Sequence, residues 1–345
     1  MPHPTPAAPA PDAPAQDARP QDARPQATVA IVTKNRREYA RAAIRSALAQ
    51  VPRVEVLVCD DGSTDGTPEM VRAEFPEAVL HVSERSADIA VQRTRATALA
   101  SAPFVFCIDD DAAFSSPDTV AEALRLFDHP RVALVAMPFV NVRVSDRVLQ
   151  RAPAPEGTYV ASGFVGTAYG VRRDVFVALG GYRPLLVHQY EEEDFAIRLL
   201  DAGYLIRLAS TPPIHHFHSP TRNREGMDRW GARNTILFTW HNVPMPYLVA
   251  HMAATSVNAF AAGVRAGTTG RKLRGMAAGY ADCLRQRQER TPVRGETYRL
   301  YRRLKTGGPL PAAVAEGTAW GRVAAGAAES ARNATAARRP QAVVA

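Results

Sequence analysis

Two aspartate clusters in this 345-residue chain stand directly after apolar runs. In VEVLVCDDGSTDGT, Asp60 and Asp61 follow Val54 to Val58 and Cys59; in FVFCIDDDA, Asp109, Asp110 and Asp111 follow Phe104 to Ile108. Carboxylates at the end of a buried strand are costly unless cations or hydrogen-bond donors meet them. Three in succession repel one another, and a divalent cation is the simplest remedy. Hard oxygen ligands suit Mg2+ or Mn2+, which commonly share their coordination with substrate phosphates. Asp65 and Thr67 read as turn and helix-cap residues, whereas Asp61 reads as functional. Asp61, Ser63, Asp65 and Gly66 imitate the start of a calcium-binding loop, but the twelfth position is Arg72 where that loop needs a bidentate Glu.

Two further groups come later. YEEEDFAIRLLDAGY places Glu191, Glu192, Glu193 and Asp194 ahead of a helix whose apolar face is Phe195, Ile197, Leu199 and Leu200. Acids there favour the helix dipole, yet four in a row exceed what capping needs, and a carboxylate could take the proton of an attacking hydroxyl. TPPIHHFHSP gathers His215, His216 and His218 behind the run Leu205 to Leu208, where His215 or His216 could ligate a metal and His218 would stand behind them.

The elements that must position these groups alternate. Strand runs at Val29 to Val32, Val54 to Val58, Val79 to Val82, Phe104 to Ile108 and Val132 to Met137 are separated by helical patterns near Tyr39 to Ala47, Thr67 to Phe75, Ala87 to Leu99 and Thr119 to Phe127. This predicts an α/β fold: an open, mostly parallel, Rossmann-like sheet with right-handed crossovers and flanking helices. Ligands of such sheets bind beyond the carboxyl ends of the strands, where the aspartates stand.

Composition sets the frame. With 46% apolar and 22% charged residues the bulk is globular, and 345 residues allow one large domain plus an appendage. Residues 1–27 hold eight prolines and two copies of QDARP, which predicts a disordered lead-in without the basic and apolar segments of a secretory signal. A disordered Ala/Arg-rich tail is expected at 329–345. Cys59, Cys107 and Cys283 cannot form a disulfide framework and have no zinc-ligand spacing, so a reducing cytoplasm is expected.

TxN at Thr33 and Asn35, DDGSTDGT after the second strand, Arg93 on a helix and the Asp-Asp-Asp after the fourth strand together resemble the family 2 glycosyltransferases of GT-A fold, over roughly residues 28–240. The resemblance implies a metal-dependent, inverting transfer of a sugar from a nucleotide-diphosphate sugar to an acceptor hydroxyl on a glycan, lipid-linked intermediate or natural product. Bacterial cell-envelope polysaccharide synthesis is the implied setting. It places Thr33, Asn35, Asp61, Arg93, Asp109 and Asp110 at the nucleotide sugar, with Asp61 on the base, and Asp109 and Asp111 with His215 or His216 at Mn2+ or Mg2+. Alignment on Arg198 puts Glu192 where the family has its catalytic Asp, with Asp194 as the second candidate. Lys34 departs from the common TYN and offers no ring for base stacking, so the donor stays open among UDP-, dTDP- and GDP-sugars.

The charge is uneven. From Arg222 onward there are 20 basic and 7 acidic residues, a surplus of 13; the whole chain is +8, so the first 221 residues are net acidic by 5. Asn234 to Val264 contains 31 residues without a formal charge, long enough to span a bilayer but broken by Pro244 and Pro246. Packed or interfacial helices are therefore expected over 241–328, a basic helical appendage in peripheral contact with an anionic membrane at its inner face. No nucleic-acid module is recognisable. Two alternatives remain at this level. One is a non-catalytic nucleotide-binding or scaffold module of the same fold. The other is a sugar-phosphate nucleotidyltransferase, which would need a Gly-rich loop after the first strand that VAIVTKNRREY lacks.

Overall fold

The computed structural model describes residues 25–217, 224–324 and 326–328. The first half runs β1 (Ala27–Thr33), α1 (Arg37–Leu48), β2 (Glu55–Asp60), α2 (Thr67–Glu74), β3 (Val79–Val82), α3 (Ile89–Leu99), β4 (Phe104–Asp109), β5 (Ala112–Phe114) and α4 (Thr119–Arg125). It continues through β6 (Val132–Ala136), β7 (Phe139–Asn141), β8 (Val148–Leu149), β9 (Tyr159–Val160), β10 (Ala168–Arg172), α5 (Arg173–Ala178), α6 (Glu191–Asp201), β11 (Leu205–Leu208) and β12 (Ile214–His216). The remainder is mainly helical: α7 (Arg224–Asn242), α8 (Tyr247–Ala266), α9 (Thr269–Arg285), α10 (Gly295–Gly307), then β13 (Leu310–Pro311) and α11 (Ala312–Glu316).

The large sheet has nine strands in the order β13-β9-β11-β6-β10-β4-β1-β2-β3. Strands β1, β2, β3 and β4 are mutually parallel, and β6 pairs parallel with β11. The apolar runs explain this part, because Val56 to Cys59 and Val105 to Ile108 are buried and α1 covers the sheet with Ala40, Ala43, Ile44 and Ala47. Register then decides the site. Val32 lies opposite Asp109 and Thr33 opposite Asp60, so both aspartate clusters leave the sheet at one edge.

Strand β10 runs antiparallel between β4 and β6, with Ala168 opposite Ile108. Its reversal starts β10 where β4 ends and brings Thr167 beside Asp109. A second, four-stranded sheet, β5-β12-β7-β8, places His216 opposite Ala112 on one side and Asn141 on the other. It therefore carries His216 to the end of β4.

Helix α6 seals the other side of that edge, burying Phe195, Ile197, Leu199 and Leu200 and presenting its acidic first turn. Behind it, α7 and α9 pack closely because α9 has glycine at the crossing. A Cβ on Gly279 would come within 2.8 Å of the Arg233 carbonyl, and one on Gly275 would collide with the Arg229 carbonyl. Among the described helices α8 alone is long and apolar enough to cross a membrane by length and composition.

Candidate active site

The sheet edge opens into a cavity of about 780 Å3 lined by β1, β4, α3, the start of α6 and residues of α7. At its floor a carboxylate or imidazole atom from each of Asp109, Asp111 and His216 lies within 4.8 Å of the others. His216 Nε2 is 3.3 Å from Asp111 Oδ1 and 3.9 Å from Asp109 Oδ2. Behind the ring, His216 Nδ1 meets Asn141 Oδ1 at 2.7 Å. With that amide oxygen as acceptor, Nδ1 carries the proton and Nε2 turns a lone pair to the aspartates, the tautomer a metal ligand needs. Thr167 Oγ1 donates to Asp109 Oδ2 at 2.6 Å and steadies it. Two carboxylates and one imidazole fit a hard divalent cation such as Mn2+ or Mg2+.

Asp110 does different work. Its carboxylate accepts from Thr33 Oγ1 at 2.9 Å and Arg36 Nη1 at 2.7 Å, while the same Arg36 nitrogen is 3.2 Å from Asp111. Burial nevertheless pushes the Asp110 carboxyl up to about 6, against the pull of Arg36 and Thr33. Three consecutive acids are thus tolerated because each meets its own donors: Asp109 meets Arg93 and Thr167, Asp110 meets Arg36 and Thr33, and Asp111 meets His216 and shares Arg36 with Asp110.

At the other end, Asp61 is buried in a ring of donors. It accepts from the Ala87 N–H at 2.8 Å, Ser86 Oγ at 2.7 Å, Lys34 Nζ at 3.3 Å and the Gln92 amide. Burial raises its pKa, but these hydrogen bonds outweigh it and hold the carboxyl below its ordinary value. Lys34 thus brings a positive charge to Asp61.

Between the two ends stands Arg93. Its guanidinium hydrogen-bonds Asp109 and lies 3.2 Å from Glu192 Oε1. Burial raises the pKa of Glu192, with Arg93 opposing. Glu191, at the same helix start, is raised to about 8 by burial and by the neighbouring Glu192 charge. Gly166 is required beside them, since a Cβ there would overlap both the Arg93 guanidinium and the Glu192 carboxylate.

Thr33, Asp61, Arg93, Asp109, Asp110, Asp111, Glu192 and His216 all line the one cavity. Three candidates do not. Asp194, the second candidate base, is fully buried and committed elsewhere, with Arg198 at 2.9 Å, Arg183 at 3.4 Å and Asn242 Nδ2 at 2.8 Å. It is corrected to a structural acid, because residues 192 and 194 leave a helix about 200° apart. His215 belongs to the strand face opposite His216 and stands outside the metal cluster, as alternation in β12 requires. Asn35 adopts φ of 52° and accepts from the Thr64 N–H at 2.7 Å, tying the first loop to the DDGSTDGT turn rather than lining the cavity. Asp65 accepts from the Arg37 N–H at 3.0 Å and Thr67 Oγ1 at 2.5 Å, the turn role expected of it. His218 lies outside the described residues.

Sequence reasoning missed Arg36, Ser86, Gln92, Asn141, Thr167 and Gly166, and also the far wall of Met227 and Trp230 from α7. Arg36 alone had a signal, its place beside the TKN segment.

The open sheet with strand-end aspartates, a histidine and an acidic helix start defines a GT-A architecture. Residues 28–182 match the model of Glycosyl transferase family 2. The chain is 25% identical over 187 residues to the O-antigen chain rhamnosyltransferase WbaN of Salmonella anatum, covering 50% of this chain; the alignment spans 59% of that relative's length. Among solved structures it resembles the mannosyltransferase PcManGT of Pyrobaculum calidifontis in complex with GDP-Man and Mn2+. The TM-score is 0.51 at 20% identity, over 91% of this chain and 87% of that one. It also resembles S. aureus TarS 1-349 in complex with UDP-GlcNAc, with TM-score 0.53 at 16% identity over 90% and 92%. These likenesses establish the fold.

Proposed function

We propose that this protein is a metal-dependent, inverting glycosyltransferase that moves a sugar from a nucleotide-diphosphate sugar to an acceptor hydroxyl. In this reading residues 28–240 are the transferase domain and 241–328 a basic helical appendage. The observation that carries it is Arg93, whose guanidinium joins Asp109 of the metal-ligand set to Glu192 on one cavity.

Asp109, Asp111 and His216 would hold Mn2+ or Mg2+, which supplies charge neutralisation for a diphosphate leaving group. Asp61, with Lys34 beside it, takes the base end of the nucleotide, and Thr33 with Asp110 lies on the way to the diphosphate. Glu192 accepts the acceptor's proton as the hydroxyl attacks the anomeric carbon. Its raised pKa makes it a better base near neutral pH than an ordinary carboxylate. Arg93 orients Glu192 and keeps the two acidic ends from repelling one another. Backside attack inverts the anomeric centre, and no enzyme nucleophile is needed.

The acceptor is a glycan or lipid-linked intermediate of cell-envelope polysaccharide, the kind of substrate that the printed name of the O-antigen relative supports. The protein works in the cytoplasm, its basic helices in peripheral contact with an anionic membrane. Calorimetric titration of UDP, dTDP and GDP with and without Mn2+ tests the reading. Binding of one nucleotide that strengthens with Mn2+ and is lost in Asp111→Ala is expected. Indifference to metal and to that substitution would overturn it.

A further inference from the structure

Helix α8 carries an apolar face that the described residues leave uncovered. Val249, Val257, Phe260 and Val264 are 69%, 65%, 47% and 58% exposed. With exposed Ala253 they form steps of four, four, three and four residues, a single stripe along a helix and about 22 Å long. Arg265 is the only formally charged residue of this helix. Helix α9 widens the surface with Leu273, Tyr280 and Leu284, again on one side and again exposed.

Length and composition alone would let α8 cross a bilayer, but its other side is docked. His251, opposite the stripe, meets Tyr298 Oη through Nδ1 at 2.7 Å, while Ser256 at the stripe's margin meets Tyr280 Oη of α9 at 2.6 Å. A helix fastened sideways to α9 and α10 lies against a surface rather than through it.

Charge selects the occupant. Residues 247–286 contain five Lys and Arg and a single acid, Asp282. Exposed Arg265, Arg274 and Arg285 flank the apolar stripes about a quarter to a third of a turn away, Arg285 also lying 2.9 Å from Asp282. A two-fold pairing with a second copy would bring together two faces of the same net positive charge, which disfavours association. An anionic surface with an apolar interior satisfies both features.

We infer that the α8–α9 face seats on an anionic bilayer, with α8 in the interfacial plane, its stripe at the acyl boundary and Arg265, Arg274 and Arg285 on lipid phosphates. This specifies the surface behind the membrane contact proposed above and rests on that reading. It also links seat and cavity. Helix α9 is packed on α7 through Gly275 and Gly279, and α7 supplies Met227 and Trp230 to the cavity wall. A lipid-borne acceptor would thus meet the helix that lines the site.

The test is flotation of the full chain with vesicles of phosphatidylcholine, alone or mixed with phosphatidylglycerol, at low and high salt. The wild-type chain is expected to float with the anionic vesicles about tenfold better than with the neutral ones, and less at high salt. The double variant Val257→Asp/Phe260→Asp should lose about tenfold of that binding while keeping its melting temperature and nucleotide affinity, both side chains being exposed. Arg265→Glu/Arg274→Glu should lose the preference for anionic lipid. A wild-type chain that stays unbound, a Val257→Asp/Phe260→Asp variant that floats equally well, or a wild-type dimer split by that variant would overturn the inference. Nucleotide binding without flotation removes only the seat, whereas flotation without nucleotide binding removes only the transferase reading.

Discussion

Arg93 Nη1 lies 3.2 Å from Glu192 Oε1, and the other terminal nitrogen of the same guanidinium hydrogen-bonds Asp109. One buried cation therefore serves two carboxylates that belong to different tasks, the metal floor and the candidate base. Removing it would leave two half-buried acids without their shared cation. Arg93→Met should lower both Mn2+-dependent nucleotide binding and transfer, and Arg93→Lys, which keeps the charge but loses the fork, should recover only part of each. Paired calorimetry and initial-rate measurements would show the split.

Glu192→Gln isolates the base. The amide retains the shape and still accepts from Arg93, so nucleotide affinity in the presence of Mn2+ should stay within a few-fold. Sugar transfer should fall by about 10²–10⁴, the usual contribution of a positioned general base. Asp194→Asn should behave otherwise: its partners are Arg183, Arg198 and Asn242, so the expected loss is in melting temperature. A Glu192→Gln enzyme with full turnover would move the base elsewhere.

The metal set separates two adjacent histidines. His216→Ala should weaken Mn2+ binding by tenfold or more, and Asn141→Ala, which frees the ring, by roughly 10- to 100-fold or somewhat less. His215→Ala should leave Mn2+ affinity unchanged, since that residue stands outside the cluster. Titration of Mn2+ by paramagnetic resonance reads all three.

What the sequence reveals and what it hides follow one physical division. Strands β1, β2 and β4 are continuous apolar runs, the last two with acids at their ends, so their parallel pairing and the edge carrying Asp61 and Asp109 to Asp111 are legible from composition and order. Strand β10 is short, has a glycine and a tyrosine, and owes its antiparallel place to pairing with β4 and β6, which no local pattern encodes. The same holds for Asn141 and Thr167, ordinary polar residues made relevant by contacts 75 and 58 positions away. The choice between Glu192 and Asp194, or His215 and His216, depends on which way a side chain leaves its element, and that needs the register.

Gly166 tests how tightly the Arg93–Glu192 pair is confined. Any Cβ at this position would overlap both groups, so Gly166→Ala must displace one or the other. The melting temperature should change little, because the displaced atoms are side-chain ends at a cavity wall. The transfer rate should fall at least tenfold, since small displacements of a catalytic group are costly. An unchanged rate would mean that the pair is not held in its catalytic arrangement.

Glu191 ties stability to pH. Burial first, and the Glu192 charge second, raise its carboxyl from 4.5 to about 8. The folded state therefore holds this proton more tightly than the unfolded chain does. The resulting stabilisation is complete below pH 4.5 and is lost as the pH rises towards 8, where folding leaves the group ionised and buried. Glu191→Gln keeps the neutral form at every pH. Its melting temperature, measured without added divalent metal, should match the wild type near pH 4.5, exceed it progressively up to about pH 8 and keep a constant lead beyond. The gain should be of order 3 kcal/mol at most, since each unit of pKa displacement corresponds to about 1.4 kcal/mol and the neighbouring Glu192 shares the proton. Parallel melting curves for the two proteins from pH 5 to 9 would mean that this carboxyl ionises freely and that the acidic turn of α6 is hydrated.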